Sequence, residues 1–240
     1  QPADAVKKLV WSEAVVQGPG KVHVELPVPQ AREGFYQDAF VAAYPLSPDL
    51  DPNRPKLKDW RVKALHEAIQ FTGRNAWFLT NSAPDTSLLV APEQSVPGEE
   101  DTQASQVLDL SDRLGPDGIL TWDAPAGRWQ VLRFGCTLAD KCRVSTHSQG
   151  WGGHALDVLD EGAFRRYWDA VVEPLIADAG PLAGKTLRYL HTDSWEIGVF
   201  NWTPALLREF RQRRGYDPLP WLPVLAGRIV DNRDLSNRFL

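Results

Sequence analysis

Methionine is absent from the 240 residues, and cysteine occurs only twice, as Cys136 and Cys142. No apolar run approaches the ~20 residues of a membrane-spanning helix, so membrane insertion through such a helix is not expected. Cationic excess is also lacking: 26 Lys and Arg stand against 31 Asp and Glu, for a formal net charge of −5. That balance argues against nucleic acid and anionic membranes as partners, since both are bound through basic patches. No G-x-S-x-G turn occurs, and neither cysteine has a paired histidine motif, which disfavours a serine or cysteine hydrolase. The Gly-rich strand-to-helix turn of dinucleotide enzymes is missing too. No secretory leader is visible at Gln1, and the chain contains no internal repeat or low-complexity tract.

What is present is an ordinary globular composition, 43% hydrophobic and 24% charged, with an unusual 10 Trp. A sizeable core is possible at this length. The missing initiator methionine, and a last helix-like stretch "DNRDLSNRFL" with no stop signal behind it, give the expectation that the chain is an excerpt of something longer. Cys136 and Cys142 lie six positions apart, compatible with a disulfide or with two unlinked thiols. Their spacings to His147 and His154 match no familiar zinc set, so no metal ligand is expected.

The first part reads as β. "KVHVEL" (Lys21 to Leu26) alternates strictly behind the turn signal "QGPG", with "KLVWSEAVV" ahead of it, predicting a hairpin. "FYQDAFVAAY" (Phe35 to Tyr44) reads as a buried strand closed by Pro45. A helix is expected between Leu57 and Phe71, and a long loop from Asn81 to Gln106. "DGILTWDAPAGRWQVLRFG" (Asp117 to Gly135) reads as a second hairpin turning at "PAG". Residues 1–145 are therefore expected to form a β-rich, sandwich-like region.

The pattern changes in residues 146–240. Asp160 is placed to cap a helix running from Glu161 to about Asp178, with an apolar stripe from Phe164 to Ile176 and Pro174 placed to kink the helix or end it early. "TLRYLH" follows as a strand. Thr203 is placed to cap a further helix that Gly215 ends. Helix, strand, helix is the grammar of parallel α/β folds.

In such folds, functional groups gather behind the C-terminal ends of strands. That is where "HTDSWEIGVFNW" sits. Carboxylates beside indole rings suit sugar chemistry: sugar C–H faces stack on aromatics, and glycosidic cleavage needs a carboxylic acid with a raised pKa. Glu196 beside Trp195, with Asp193 near, has the neighbours for such a shift through desolvation and like-charge repulsion; otherwise it would form a buried ion pair with an Arg. Asp193 would bind sugar hydroxyls, tune Glu196, or cap the turn. Trp195 and Trp202 would stack on sugar or pack in the core. His191 would donate to a hydroxyl or be a core residue, and Asn201 would bind sugar or hold the loop.

The series "GPLAGKTLRYLHTDSWEIGVFNWTPALLREFRQRRGYDPLPWLPVLAGRIVD" resembles the catalytic region of glycoside hydrolase family 106, the α-L-rhamnosidases. "KLVWSEAVV", "LPVPQAREGFYQDAFVAAYP", "LKDWR" and "GILTWDAPAGRWQVLRFG" resemble that family as well. The resemblance implies a β-sandwich-like N-terminal part followed by part of a (β/α)8 (TIM) barrel, truncated at the end of this chain. It further implies inverting hydrolysis of terminal α-L-rhamnosyl residues from plant polysaccharides or glycosides. Glu196 would be the general acid, the catalytic base would lie beyond Leu240, and the 240 residues alone would be inactive. A periplasmic or extracellular setting follows by the same resemblance, as does a possible Ca²⁺ near the sugar, although no calcium-loop spacing is visible. The chain departs from the family where "GHALD" (Gly153 to Asp157) replaces "GLE.D", keeping Asp157 but losing the Glu. Two alternatives stand beside this reading: a non-catalytic carbohydrate-binding protein, and a barrel glycosidase for a different sugar.

Overall fold

The computed structural model describes residues 1–48, 56–67, 93–145, 147–191 and 197–240. Its frame is one four-stranded sheet made of β1 (Lys7–Glu25), β2 (Gln37–Pro45), β3 (Leu108–Asp109) and β4 (Ile119–Leu138). The spatial order is β1-β4-β2-β3, and every pairing is antiparallel.

The two expected hairpins are not hairpins. β1 and β4 are each one long strand, paired with each other from Lys7↔Leu138 to Glu25↔Ile119. "QGPG" and "DAPAG" meet at the same level of this ladder. Gly18 pairs with Gly127 and Gly20 with Ala124, so Pro125 and Ala126 stand opposite Pro19 alone. That two-against-one count is a β-bulge, which bends a strand without reversing it. A Cβ on Gly18 would overlap the Pro125 carbonyl, so the crossing admits only glycine there.

The bulge also explains the broken alternation in β4. Trp129 and Val131 occupy odd positions, whereas Leu120, Trp122 and Ala124 occupy even ones, yet all five line one apolar cluster with Val16, Val41 and Ala43. The extra residue flips the parity, so both halves present their apolar side chains to the same face. Trp122 and Trp129 meet edge to face across the bend, with centroids 5.2 Å apart.

The far half of the ladder then folds back on the near half. Arg133 donates to the Leu26 carbonyl at 2.7 Å, and Ser12 donates to the Pro27 carbonyl. Arg133 is held on its other side by Asp38, at 2.8 and 2.9 Å. The β-rich part is thus built by one bent sheet. Burying a side chain such as Leu120 or Trp122 in this fold-back stabilises it by about 1.5–3 kcal/mol.

The opposite face packs Leu9, Phe40, Tyr44, Leu132 and Phe134 against Trp202, Leu222 and Ala226. Leu222 and Ala226 belong to a 3₁₀ segment, Leu219–Ala226, ended by Gly227 in the left-handed region. The first helix, α1 (Trp60–Lys63), is a single turn. The rest of the expected 57–71 helix is turns and bends as far as residue 67, with Asp59 and Leu65 in the left-handed region on either side of α1, and residues 68–71 lie outside the described residues. Of the expected 81–106 loop, residues 81–92 lie outside them, and the described 93–106 are irregular apart from a 3₁₀ turn at Ala104–Gln106.

Asp160 caps α2 (Glu161–Tyr167) as expected, accepting from Gly162 N and Ala163 N. A π-helical turn, Trp168–Val172, leads into α3 (Glu173–Ala179) with Pro174 in its first turn. Proline has no N–H for the Ala170 carbonyl, and the widened turn absorbs that loss. The stripe on this helix faces outward: Phe164, Tyr167 and Leu175 are exposed. The described residues supply no opposing layer for it.

α4 (Leu206–Arg214) ends at Gly215, φ +77°, as expected. Its N-cap position is held by Ala205 without a side-chain cap, where Thr203 was expected; the Thr203 hydroxyl is buried with no partner among the described residues. Asn232 caps α5 (Arg233–Phe239) by accepting from Leu235 N.

The expected strand "TLRYLH" forms no ladder. Ala183 and Leu187 make an isolated bridge, and Tyr189 and Leu190 are exposed. A strand needs a hydrogen-bonding neighbour along its length, and among the described residues this segment has only the single bridge at Leu187. Cys136 and Cys142 are both buried and free. No helix among the described residues is long and apolar enough to cross a membrane.

Candidate active site

Glu196, Asp193 and Trp195 lie outside the described residues. His191, just before them, is exposed. The chain just after them is held at Ile197, Gly198, Phe200, Asn201 and Trp202. Ile197 and Phe200 pack on a small core of Ala5, Val6, Leu138, Ala139, Cys142 and Ala155. Gly198 N donates to the Lys141 carbonyl at 3.3 Å. A Cβ on Gly198 would stand 2.8 Å from Lys141 N, so only glycine allows this approach. Asn201 N then donates to the Lys7 carbonyl at 3.3 Å, and Trp202 bridges Lys7.

The Asn201 side chain completes the attachment. Its Oδ1 accepts from Leu9 N at 2.7 Å. Its Nδ2 donates to the Ala64 carbonyl at 2.8 Å and lies 3.3 Å from His66 Nδ1. One amide therefore joins β1, the turn after α1 and the loop behind the candidate acid. Trp202 lies in the main core, 5.9 Å from Phe40 by ring centroids. Of the two roles that the sequence left open for Asn201 and Trp202, the described contacts are those of loop fixing and core packing.

His66 is the electrostatic partner in this arrangement. Burial pushes its imidazole down to about 4, only partly opposed by the hydrogen bond to the Leu225 carbonyl. With Nε2 donating to Leu225 O at 2.9 Å, Nδ1 is left as the acceptor facing Asn201. Trp11 and Trp60 enclose the ring, at centroid distances of 4.9 and 5.6 Å.

Behind Lys7 lies a buried ion pair. Its Nζ is 3.3 Å from Asp157 Oδ2, and both side chains are almost wholly buried. The same Nζ donates to the Ala5 carbonyl at 2.9 Å, and Asp157 Oδ1 accepts from Leu159 N. Asp157, the residue kept in "GHALD", therefore joins the start of β1 to the approach to α2. Neither Lys7 nor His66 carried a local sequence signal, because their roles depend on partners over 130 residues away.

An open cleft of about 790 Å³ adjoins this region at Thr203, lined by Asp160, Arg165, Arg208, Glu209 and Arg213 among others. Its acidic and basic side chains roughly balance. Calcium takes six to eight oxygen ligands. Among the described residues, the His, Cys, Asp and Glu groups close enough to share an ion are Glu33, Cys142 and His154. A set with one thiol, one imidazole and one carboxylate does not fit calcium.

The alpha-L-rhamnosidase family of glycoside hydrolases, Glyco_hydro_106, matches residues 1–240, and the chain belongs to that family. The solved structure of a rhamnosidase from Novosphingobium sp. PP1Y is similar over the whole chain, with 25% identity and a TM-score of 0.74. A curated protein of Formosa agariphila, named "Putative beta-glucuronidase", is 32% identical over 242 residues. The chain spans 19% of that relative's length and 34% of the solved rhamnosidase chain. It is thus a glycoside hydrolase family member with a mixed fold of antiparallel sheet and helices.

Proposed function

We propose that the chain carries the acid half of an inverting α-L-rhamnosidase active site, with Glu196 as general acid. The observation that supports this most is the fixing of residues 197–202 directly behind Glu196, through Lys141, Lys7 and Leu9. A general acid acts through geometry before pKa, and a rigid flank on one side of Glu196 limits where its carboxyl can lie. Trp195 would desolvate that carboxyl, and Asp193 would disfavour its ionisation, keeping the proton available for the leaving oxygen. His191 and Asp193 would contact sugar hydroxyls and Trp195 a sugar face. Asn201 and Trp202 would act by holding the loop.

In this reading the base that activates water lies beyond Leu240, and the substrate is a terminal α-L-rhamnosyl residue of a plant polysaccharide or glycoside. Residues 1–145 form the β-rich part and residues 146–240 part of a (β/α)8 barrel, in a periplasmic or extracellular protein. A second reading, a glycosidase for a different sugar, draws support from the name of the Formosa agariphila relative. Rhamnose carries a methyl group where a glucuronide carries a carboxylate, so the two readings predict opposite preferences. Measuring sugar release from matched α-L-rhamnosides and β-D-glucuronides by the full-length protein tests them. Release of rhamnose alone supports the first, and release of glucuronic acid alone overturns it.

A further inference from the structure

We propose that Glu33, Cys142 and His154 form a binding site for a zinc-type divalent metal ion, beside the Lys141 backbone that holds Gly198. One ligand atom from each residue lies within 4.8 Å of the other two. His154 Nε2 is 3.1 Å from Glu33 Oε2, and Cys142 Sγ is 4.0 Å from Glu33 Oε1. The spacing of Cys136, Cys142, His147 and His154 gave no hint of this, because the third member comes from a turn 109 residues before Cys142.

Each ligand is delivered by braced backbone. Cys142 and His154 lie on two short facing segments: Ala155 N donates to the Cys142 carbonyl at 2.6 Å, and Val144 N to the Gly153 carbonyl at 3.1 Å. Glu33 sits in a turn closed by Phe35 N donating to Arg32 O. That turn is fastened to β4 where Arg32 N donates to Thr137 Oγ1 at 2.7 Å. Glu33 itself takes φ +52°, a left-handed conformation that is uncommon outside glycine and that the turn holds beside Cys142. Cys142 is buried and His154 is half-buried.

The donor set selects the ion. A thiolate, an imidazole and one carboxylate oxygen are the ligands of zinc and its neighbours in the first transition row, not of calcium or magnesium. Three protein ligands leave a fourth tetrahedral position for water or a further group. Arg143 now pairs with both Glu33 oxygens, at 3.0 and 2.6 Å. Its side chain is 60% exposed, so it can release one oxygen to an ion and keep the other as an outer-shell contact. The bound ion would clamp residues 141 and 142, on which Gly198 and Phe200 rest.

The test is titration of the purified, metal-stripped full-length protein with Co²⁺, followed by competition with Zn²⁺. The expected result is a thiolate-to-cobalt charge-transfer band that saturates at one ion per chain and is displaced by zinc. Cys142→Ser should abolish the band. His154→Gln and Glu33→Gln each remove a direct ligand and should weaken binding by more than the ~10–100-fold typical of losing an outer-shell partner, with the circular dichroism unchanged. Cys136→Ala, which removes the other thiol, should leave the band in place. Absence of the band in the wild-type protein, or a band that survives Cys142→Ser, overturns the site. Activity plays no part in the readout, so failure here and failure of the Glu196 reading are separable.

Discussion

Asn201 Nδ2 lies 3.3 Å from His66 Nδ1, across 135 positions of chain. The contact needs a neutral imidazole, because a protonated Nδ1 has no lone pair to accept with. It links the protonation of a buried ring to the loop behind the candidate acid.

Stability should therefore fall as the medium is acidified through the histidine range. The folded-state value of about 4 lies below the ordinary 6.5, so below 6.5 the unfolded chain binds the proton and the folded chain does not. The stabilisation is fully present above pH 6.5 and is lost as pH falls toward 4, by about 3 kcal/mol in all. Chemical denaturation at a series of pH values checks this. His66→Gln should flatten the slope between pH 6.5 and 4.

Asn201→Ala leaves Leu9 N and the Ala64 carbonyl without their partner. Such groups cost about 1–3 kcal/mol each when left unsatisfied in a buried setting, and a loss in that range is expected from urea unfolding. If Asn201 holds the loop, rhamnose release should drop mainly in kcat. A rise in KM with kcat unchanged would point to direct sugar contact instead.

The Lys7–Asp157 pair gives a third test. Lys7→Met strands a buried carboxylate and should cost about 3–5 kcal/mol. Adding Asp157→Asn should restore part of that loss, because the amide keeps an acceptor for Leu159 N without the unpaired charge. A double-mutant cycle with no coupling would show that the pair does not act as a unit.

Gly18→Ala places a methyl group against the Pro125 carbonyl. Relief requires the bulge to open, so a loss of about 1–3 kcal/mol in thermal or chemical unfolding is expected.

These residues also show what the sequence could tell. β2 was legible because its apolar run ends at Pro45, and α2 because Asp160 stands at its N-cap. The end of α4 was legible too, because Gly215 supplies the left-handed stop. The bulge was misread because a reversal and a bend use the same prolines and glycines; the difference lies in the partner strand, about 110 residues away. The same holds for function. Residue types around Glu196 suggested sugar chemistry, but only the fold shows Asn201 bound to Leu9 and Ala64. Glu33 had no local signal at all.

The most direct test of the general-acid assignment is release of L-rhamnose from an unactivated α-L-rhamnoside by the full-length protein, wild type against Glu196→Gln. An alkyl or sugar leaving group is essential, because an activated aryl group needs little protonation and hides the loss of an acid. The account predicts activity in the wild type and a fall of about 10²-fold or more in the variant. A wild type that binds rhamnose without releasing it, or a variant as active as the wild type, would contradict it.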